Sequence, residues 1–227
     1  MATTEPSYPD ELSTQPDHAK HHARTQFDKW AASYDRSWLN EIVFFPTIRA
    51  CQEEIARWQQ RRGELSYQLL DVGCGTGRLL TTLAADARAA RLVGLDYSSE
   101  MVRAAQHKLG ARGEVVHGDA EHLPFADASF DVLTCCHSFH HYPHQPTVVR
   151  EFYRVLRPGG LLIVVDGFRD NVIGWVVFDV FVAAFERHVH HAAWSEMKTM
   201  LHDAGFAHLT QRKLNVLAPL LISVAER

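Results

Sequence analysis

The chain predicts a doubly wound α/β fold: a seven-stranded, mostly parallel sheet with helices on both faces, closed by an antiparallel hairpin strand. Three observations predict it. From Tyr67 to Asp166, short apolar runs alternate with stretches of helical period. A glycine-rich loop separates the first such run from the first helix. The last two runs, 209–214 and 217–225, flank a turn near Asn215 and read as a hairpin.

Residues 1–20 are polar, hold three prolines and read as a flexible tail with no signal-peptide core. Phe27, Trp30, Ala31 and Tyr34 then repeat at helical spacing. Pro46 breaks that pattern or opens the next, in which Ile48, Cys51, Ile55 and Trp58 form an apolar stripe ended by Gly63. Residues 21–63 are therefore read as a helical lid. Core strands follow at 68–72, 91–96, 114–117, 130–136 and 161–166. Between them lie helices at 78–90, at 99–109 behind a Ser98-Ser99-Glu100 cap, and around Val148, Phe152, Val155 and Leu156. Arg157-Pro158-Gly159-Gly160 is expected to close that last helix. The core spans 67–167. Residues 168–192 read as a helical insert, with the apolar stretch 172–187 a lid over the substrate site, a core element or a dimer face. Residues 193–227 hold a helix at 194–204, stopped by Gly205, and the hairpin.

Composition narrows the functional classes. The 23 Lys and Arg against 27 Asp and Glu give a net charge of −4, which argues against a nucleic-acid acceptor or duplex binder. The apolar run 172–185 contains Asp179 and is shorter than the roughly 20 residues a membrane span needs. The four cysteines form no CxxC pair, which points to a reducing, cytoplasmic setting. Fifteen histidines would carry the charge from −4 to +11 if all were protonated.

The chemistry begins at Leu69-Leu70-Asp71-Val72-Gly73-Cys74-Gly75-Thr76-Gly77. Glycines after a strand allow a sharp turn and a close approach of ligand to backbone. The spacing D-x-G-x-G-x-G differs from the dinucleotide pattern, since Arg78 stands where the third glycine belongs. No Gly-Lys-Ser/Thr phosphate loop is present. Asp96 ends the second strand, where a carboxylate can accept hydrogen bonds from both ribose hydroxyls. Gly118-Asp119-Ala120 follows the third strand, in reach of an adenine edge. All three features stand at strand carboxyl ends, where open α/β sheets bind ligands.

With these motifs the sequence resembles the class I S-adenosylmethionine (SAM)-dependent methyltransferases, in particular the small-molecule branch of ubiquinone/menaquinone C-methyltransferases. The matching pieces are FDKWAASYD at 27–35, LLDVGCGTG at 69–77, GLDYS at 94–98, GDAEHLPFADASFDVL at 118–133, HSFHHYP at 137–143 and EFYRVLRPGGLLIVVD at 151–166. The resemblance implies a Rossmann-like sheet with SAM as cofactor. It implies that Gly73, Cys74, Gly75, Thr76 and Gly77 hold the methionine part, with Asp71 reaching its ammonium. Asp96 would bind the ribose, Tyr97 and Met101 would sandwich the adenine, and Asp119 and Ala120 would meet its rim. Cys136 and His137 would lie beside the methionine, and Tyr34 would close over the cofactor. Cys136 departs from the small residue, such as Ser, that is frequent there.

His137, His140, His141 and His144 form H-x-x-H-H-x-x-H. A metal reading is weak, because a strand end and loop do not present ligands as a helix does and no carboxylate completes the set. His140 or His141 is the candidate general base; packing is the plainer role for each singly. His188, His190 and His191 line the substrate cavity or lie on the surface. The function expected is methyl transfer from SAM to a small apolar or aromatic acceptor, on carbon or oxygen, without a transmembrane segment and with a homodimer open. A nicotinamide-dependent oxidoreductase and a non-catalytic SAM-binding protein are the alternatives.

Overall fold

The computed structural model describes residues 39–63, 66–167, 193–215 and 220–227. The expected tail, the 27–34 pattern with Tyr34, the 172–187 stretch, His188, His190 and His191 lie outside them.

Seven strands form one sheet: β1 (Tyr67–Val72), β2 (Ala89–Asp96), β3 (Glu114–His117), β4 (Phe130–Cys136), β5 (Leu156–Gly167), β6 (Ala207–Asn215) and β7 (Leu220–Glu226). Their order is β3-β2-β1-β4-β5-β7-β6. β1 to β5 pair in parallel, while β7 runs antiparallel to both β5 and β6. The direction of winding reverses between β1 and β4, which leaves a crevice at their carboxyl ends.

Side-chain alternation builds two cores, one per face. On β5, Leu161, Ile163 and Val165 join Leu69 and Val132 against Ile55 and Trp58 of α1 (Leu39–Arg62). The same layer holds α2 (Arg78–Leu83), through Leu80, and α3 (Ser99–Leu109), through Ala105. Leu162 and Val164 point the other way, with Leu70 and Leu133, onto Val148 and Phe152 of α4 (Gln145–Val155) and Leu201 of α5 (Trp194–Asp203). Period-two strands between amphipathic helices thus account for the sandwich.

Three local expectations are corrected. Pro46 neither breaks nor begins a segment, for α1 continues through it. The buried stripe Ile48, Cys51, Ile55 and Trp58 seats the helix on the sheet, and this packing outweighs one missing backbone bond. The helix expected at 78–90 stops at Leu83. The Arg88 carbonyl accepts from the Tyr67 amide, so the Ala-rich segment turns and enters β2 at Ala89. Arg157 to Gly160 do not close a helix; they lie within β5 as a bulge, where Phe130 faces Leu156 but Val132 faces Leu161. Leu156 begins that strand. Gly159 sits at φ +76, the left-handed region that favours glycine, with the Arg62 guanidinium against it. The Trp58 indole donates to the Gly159 carbonyl at 3.0 Å, pinning α1 to the bulge.

Candidate active site

The loop after β1 turns by placing Gly73, Gly75 and Gly77 at φ 71, 53 and 75. The three do different work. A Cβ on Gly73 would meet Ser138 Oγ at 2.3 Å, and one on Gly77 would meet Ala105 Cβ at 2.9 Å; one on Gly75 would meet nothing within 4 Å. Gly73 and Gly77 are therefore packing glycines, whereas Gly75 borders open space. Gly73 and Cys74 donate to the Leu95 carbonyl at 2.8 and 3.0 Å, which ties the loop to β2.

That space is a cavity of ≈ 1240 Å³, part of it open to solvent, at the carboxyl edge of β1 to β4. It is lined by Asp71, Gly73, Cys74, Gly75 and Thr76, by Asp96, Tyr97 and Met101, by Asp119 and Ala120, and by Cys136, His137 and His141. Sequence positions far apart are thus collected on one concave wall. Gly77 and His140 do not line it. The α1 side chains Phe44, Thr47 and Ile48 do, as do Arg78, Tyr142 and Pro143, none of which the sequence marked as a site residue. For Thr47 the helical pattern held no signal. A helical residue reaches a site only through the angle at which its helix packs.

Electrostatics across the wall follow from burial. Asp71 is 3% exposed, and desolvation pushes its carboxyl up to about 7, although Thr134 Oγ1 donates to it at 2.7 Å. Asp96 is recessed rather than sealed, and burial raises it as well, against the amides of Gly75 (2.8 Å) and Ser98 (2.9 Å) that bind its two oxygens. Such a carboxylate is oriented before any ligand arrives. Ser98 caps α3 by accepting from the Met101 amide, which sets Met101 at the cavity. Tyr97 is 40% exposed and stacks on His117 with ring centroids 6.2 Å apart. Asp119 accepts from the Glu121 amide at 3.0 Å.

The β4 end is built around His137, a non-glycine residue at φ 58. Its Nε2 pairs with Thr47 Oγ1 at 2.9 Å, and its ring lies 4.7 Å from that of Phe44. Burial lowers it to about 4, so the imidazole is neutral near pH 7. Cys136 Sγ lies 3.7 Å from Cys51 Sγ; both are free thiols, and the neighbouring thiol with burial raises Cys136 well above its usual range. Within the short turn Phe139–His141, His140 Nδ1 pairs with Asp166 Oδ1 at 2.6 Å, and its amide donates to Oδ2 at 2.8 Å. The His141 ring sits 4.0 Å from that of His140. Asp166, at the end of β5, is a residue that strand-end position alone could have marked. His144 turns instead to Glu121 at 3.1 Å. Among the described residues no cluster of three or more His, Cys, Asp or Glu is arranged to hold a metal ion. No described helix is long and apolar enough to cross a membrane.

Comparison with known proteins supplies the family. A profile described as "Methyltransferase domain" matches residues 70–164. The demethylmenaquinone methyltransferase of Listeria welshimeri is 30% identical over 208 residues, covering 81% of this chain and 86% of that protein. The enzyme of that name from Geobacillus kaustophilus is 32% identical over 154 residues, 66% of this chain and 64% of that one. Among solved structures, a SAM-dependent methyltransferase of Thermotoga maritima, described as a possible histamine N-methyltransferase, superposes with a TM-score of 0.68. It is 19% identical and the match covers 88% and 97% of the two chains, a likeness of fold alone. Nothing in these likenesses supports a nicotinamide-dependent oxidoreductase. A backbone bend bordering open space, three carboxylates on one wall and these relatives converge: the chain belongs to the class I SAM-dependent methyltransferases and transfers a methyl group from SAM to a small-molecule acceptor.

Proposed function

We propose that the acceptor is an apolar, ring-hydroxylated aromatic of the hydroquinone class, and that the cavity wall described above holds SAM. Asp96 takes the ribose diol, Tyr97 and Met101 flank the adenine, and Asp119 and Ala120 meet its rim. Asp71 faces the ammonium across the open side of Gly75. SAM supplies a methyl group already made electrophilic by its sulfonium. The protein aligns the nucleophile and keeps water out, and positioning of that kind contributes roughly 7–11 kcal/mol. Phe44, Ile48 and Pro143 give the cavity an apolar side suited to a ring.

The observation that carries the acceptor class is the His140–Asp166 pair beside His141. Asp166 fixes the His140 ring through Nδ1, and a ring so held can pass a proton at its other nitrogen. An acceptor that must lose a proton to react, such as a phenol or a hydroquinone ring carbon, would use this; an aliphatic thioether would not. His141 lines the cavity, and its ring lies 4.0 Å from that of His140. The demethylmenaquinone methyltransferases among the relatives support a quinol.

The test is incubation of the protein with methyl-labelled SAM and either a reduced demethylmenaquinone analogue or simple phenols. Product masses and fragment positions are then read. Label on the ring carbon or hydroxyl of the naphthoquinol supports the reading. Label confined to amines or aliphatic acceptors in a mixed extract would refute it.

A further inference from the structure

We propose that the guanidinium of Arg78 holds the α-carboxylate of the methyl donor's amino-acid end. This rests on the assignment of the cavity to SAM. The donor carries an ammonium, a sulfonium, a sugar diol and one carboxylate. The wall offers Asp71, Asp96 and Asp119, which suit the cation and the diol. The same carboxylates repel the donor's own, and the repulsion is strong in a recessed site. A cation beside the donor's carboxylate would offset that repulsion.

Arg78 is the sole lysine or arginine among the described residues lining the cavity. His137 cannot serve, since burial keeps it neutral. Position agrees with charge. Phe44 touches both His137, at 4.7 Å between rings, and Arg78, whose Cζ lies 5.9 Å from the Phe44 centroid. Phe44 thus links Arg78 to the β4 end of the cavity, where Cys136 and His137 stand. An aromatic face against a guanidinium plane is compatible with in-plane hydrogen bonds from its edges to a carboxylate. Phe44 belongs to α1, so the carboxylate would also steady the helix that covers the site.

The test uses two ligands that differ only in that carboxylate: S-adenosylhomocysteine and its decarboxylated analogue, each titrated calorimetrically into the full chain. A charge-assisted pair predicts that the unmodified protein prefers the first by about tenfold or more. Arg78→Met is expected to bind both within about threefold of each other, with affinity for the decarboxylated ligand close to the original. Arg78→Lys should restore part of the preference. Binding of the decarboxylated ligand also shows that the variant is folded. A preserved preference in Arg78→Met, as when His141 holds the carboxylate, overturns the proposal; so does equal loss of both ligands. Failure of the unmodified protein to bind either ligand would instead sink the cavity assignment, and the proposal with it.

Discussion

His140 Nδ1 lies 2.6 Å from Asp166 Oδ1, and the same carboxylate receives the His140 amide through its other oxygen. One acid at the end of β5 therefore fixes both the ring and the backbone of a histidine that follows β4. Neighbouring parallel strands end side by side, so residues 26 positions apart meet without any long loop.

If the pair serves proton removal, Asp166→Asn and His140→Ala should each lower kcat by roughly 10²-fold or more. Their effects should not multiply in the double variant. Affinity for S-adenosylhomocysteine should change little. The deficit should shrink at high pH, where a phenolic acceptor ionises unaided, which a purely structural role would not produce. Rate profiles against pH for the single and double variants check this.

Asp71 gives a pH dependence of known sign. Burial holds it near 7 in the folded chain against an ordinary value of 3.8. Between those values the folded state binds more protons than the unfolded, so this group's contribution to stability falls as pH rises through the window. A cationic ligand beside Asp71 favours its ionised form. Cofactor binding should therefore tighten from pH 6 to pH 8 and release protons, as calorimetry in buffers of different ionisation enthalpy would show. Asp71→Asn should remove the proton release and, at pH 8 without ligand, raise the melting temperature.

The loop glycines should separate into two kinds. Gly75→Ala carries left-handed strain of roughly 1–2 kcal/mol but meets no neighbour within 4 Å, so it should fold and lose cofactor affinity. Gly73→Ala adds a collision with Ser138 Oγ at 2.3 Å and should show the larger fall in melting temperature. Thermal melts with and without S-adenosylhomocysteine distinguish the two.

Thr47→Val removes the partner of His137 Nε2 while keeping the volume. A half-buried ring nitrogen that loses its partner costs at most about 1–3 kcal/mol, less where water reaches it. Because both residues line the cavity, the loss should appear in denaturant midpoint and in cofactor affinity together. A midpoint unchanged within error would show that this bond does not hold α1 to β4.

Much of the strand pattern was legible because period-two alternation and strand-end glycines are local signals. β3 and β4 keep their sequence boundaries, and Ser98 caps α3 as its position predicts. The boundaries that moved are those decided by partners distant in sequence. The 78–90 run has helical composition, yet the pairing of β1 with β2 claims its last residues. Arg157 to Gly160 read as a helix stop, yet they form a bulge of β5 that Trp58 pins through the Gly159 carbonyl. The cavity residues of the glycine loop, Asp96 and Asp119 were readable because each ends a strand. Phe44, Thr47 and Arg78 were not, since a helix or a loop exit carries no mark of what it faces.

By itself the amino-acid sequence determined the alternation of elements, the spacing of the glycine bend and the acids at the strand ends, all set by contacts within a few residues. Only the tertiary structure decided which side chains share the crevice, that Asp166 holds His140, and that α1 lays Thr47 on His137. The reason is geometric: burial and pairing between distant segments depend on how helices cross the sheet, and that angle is set by the whole core at once.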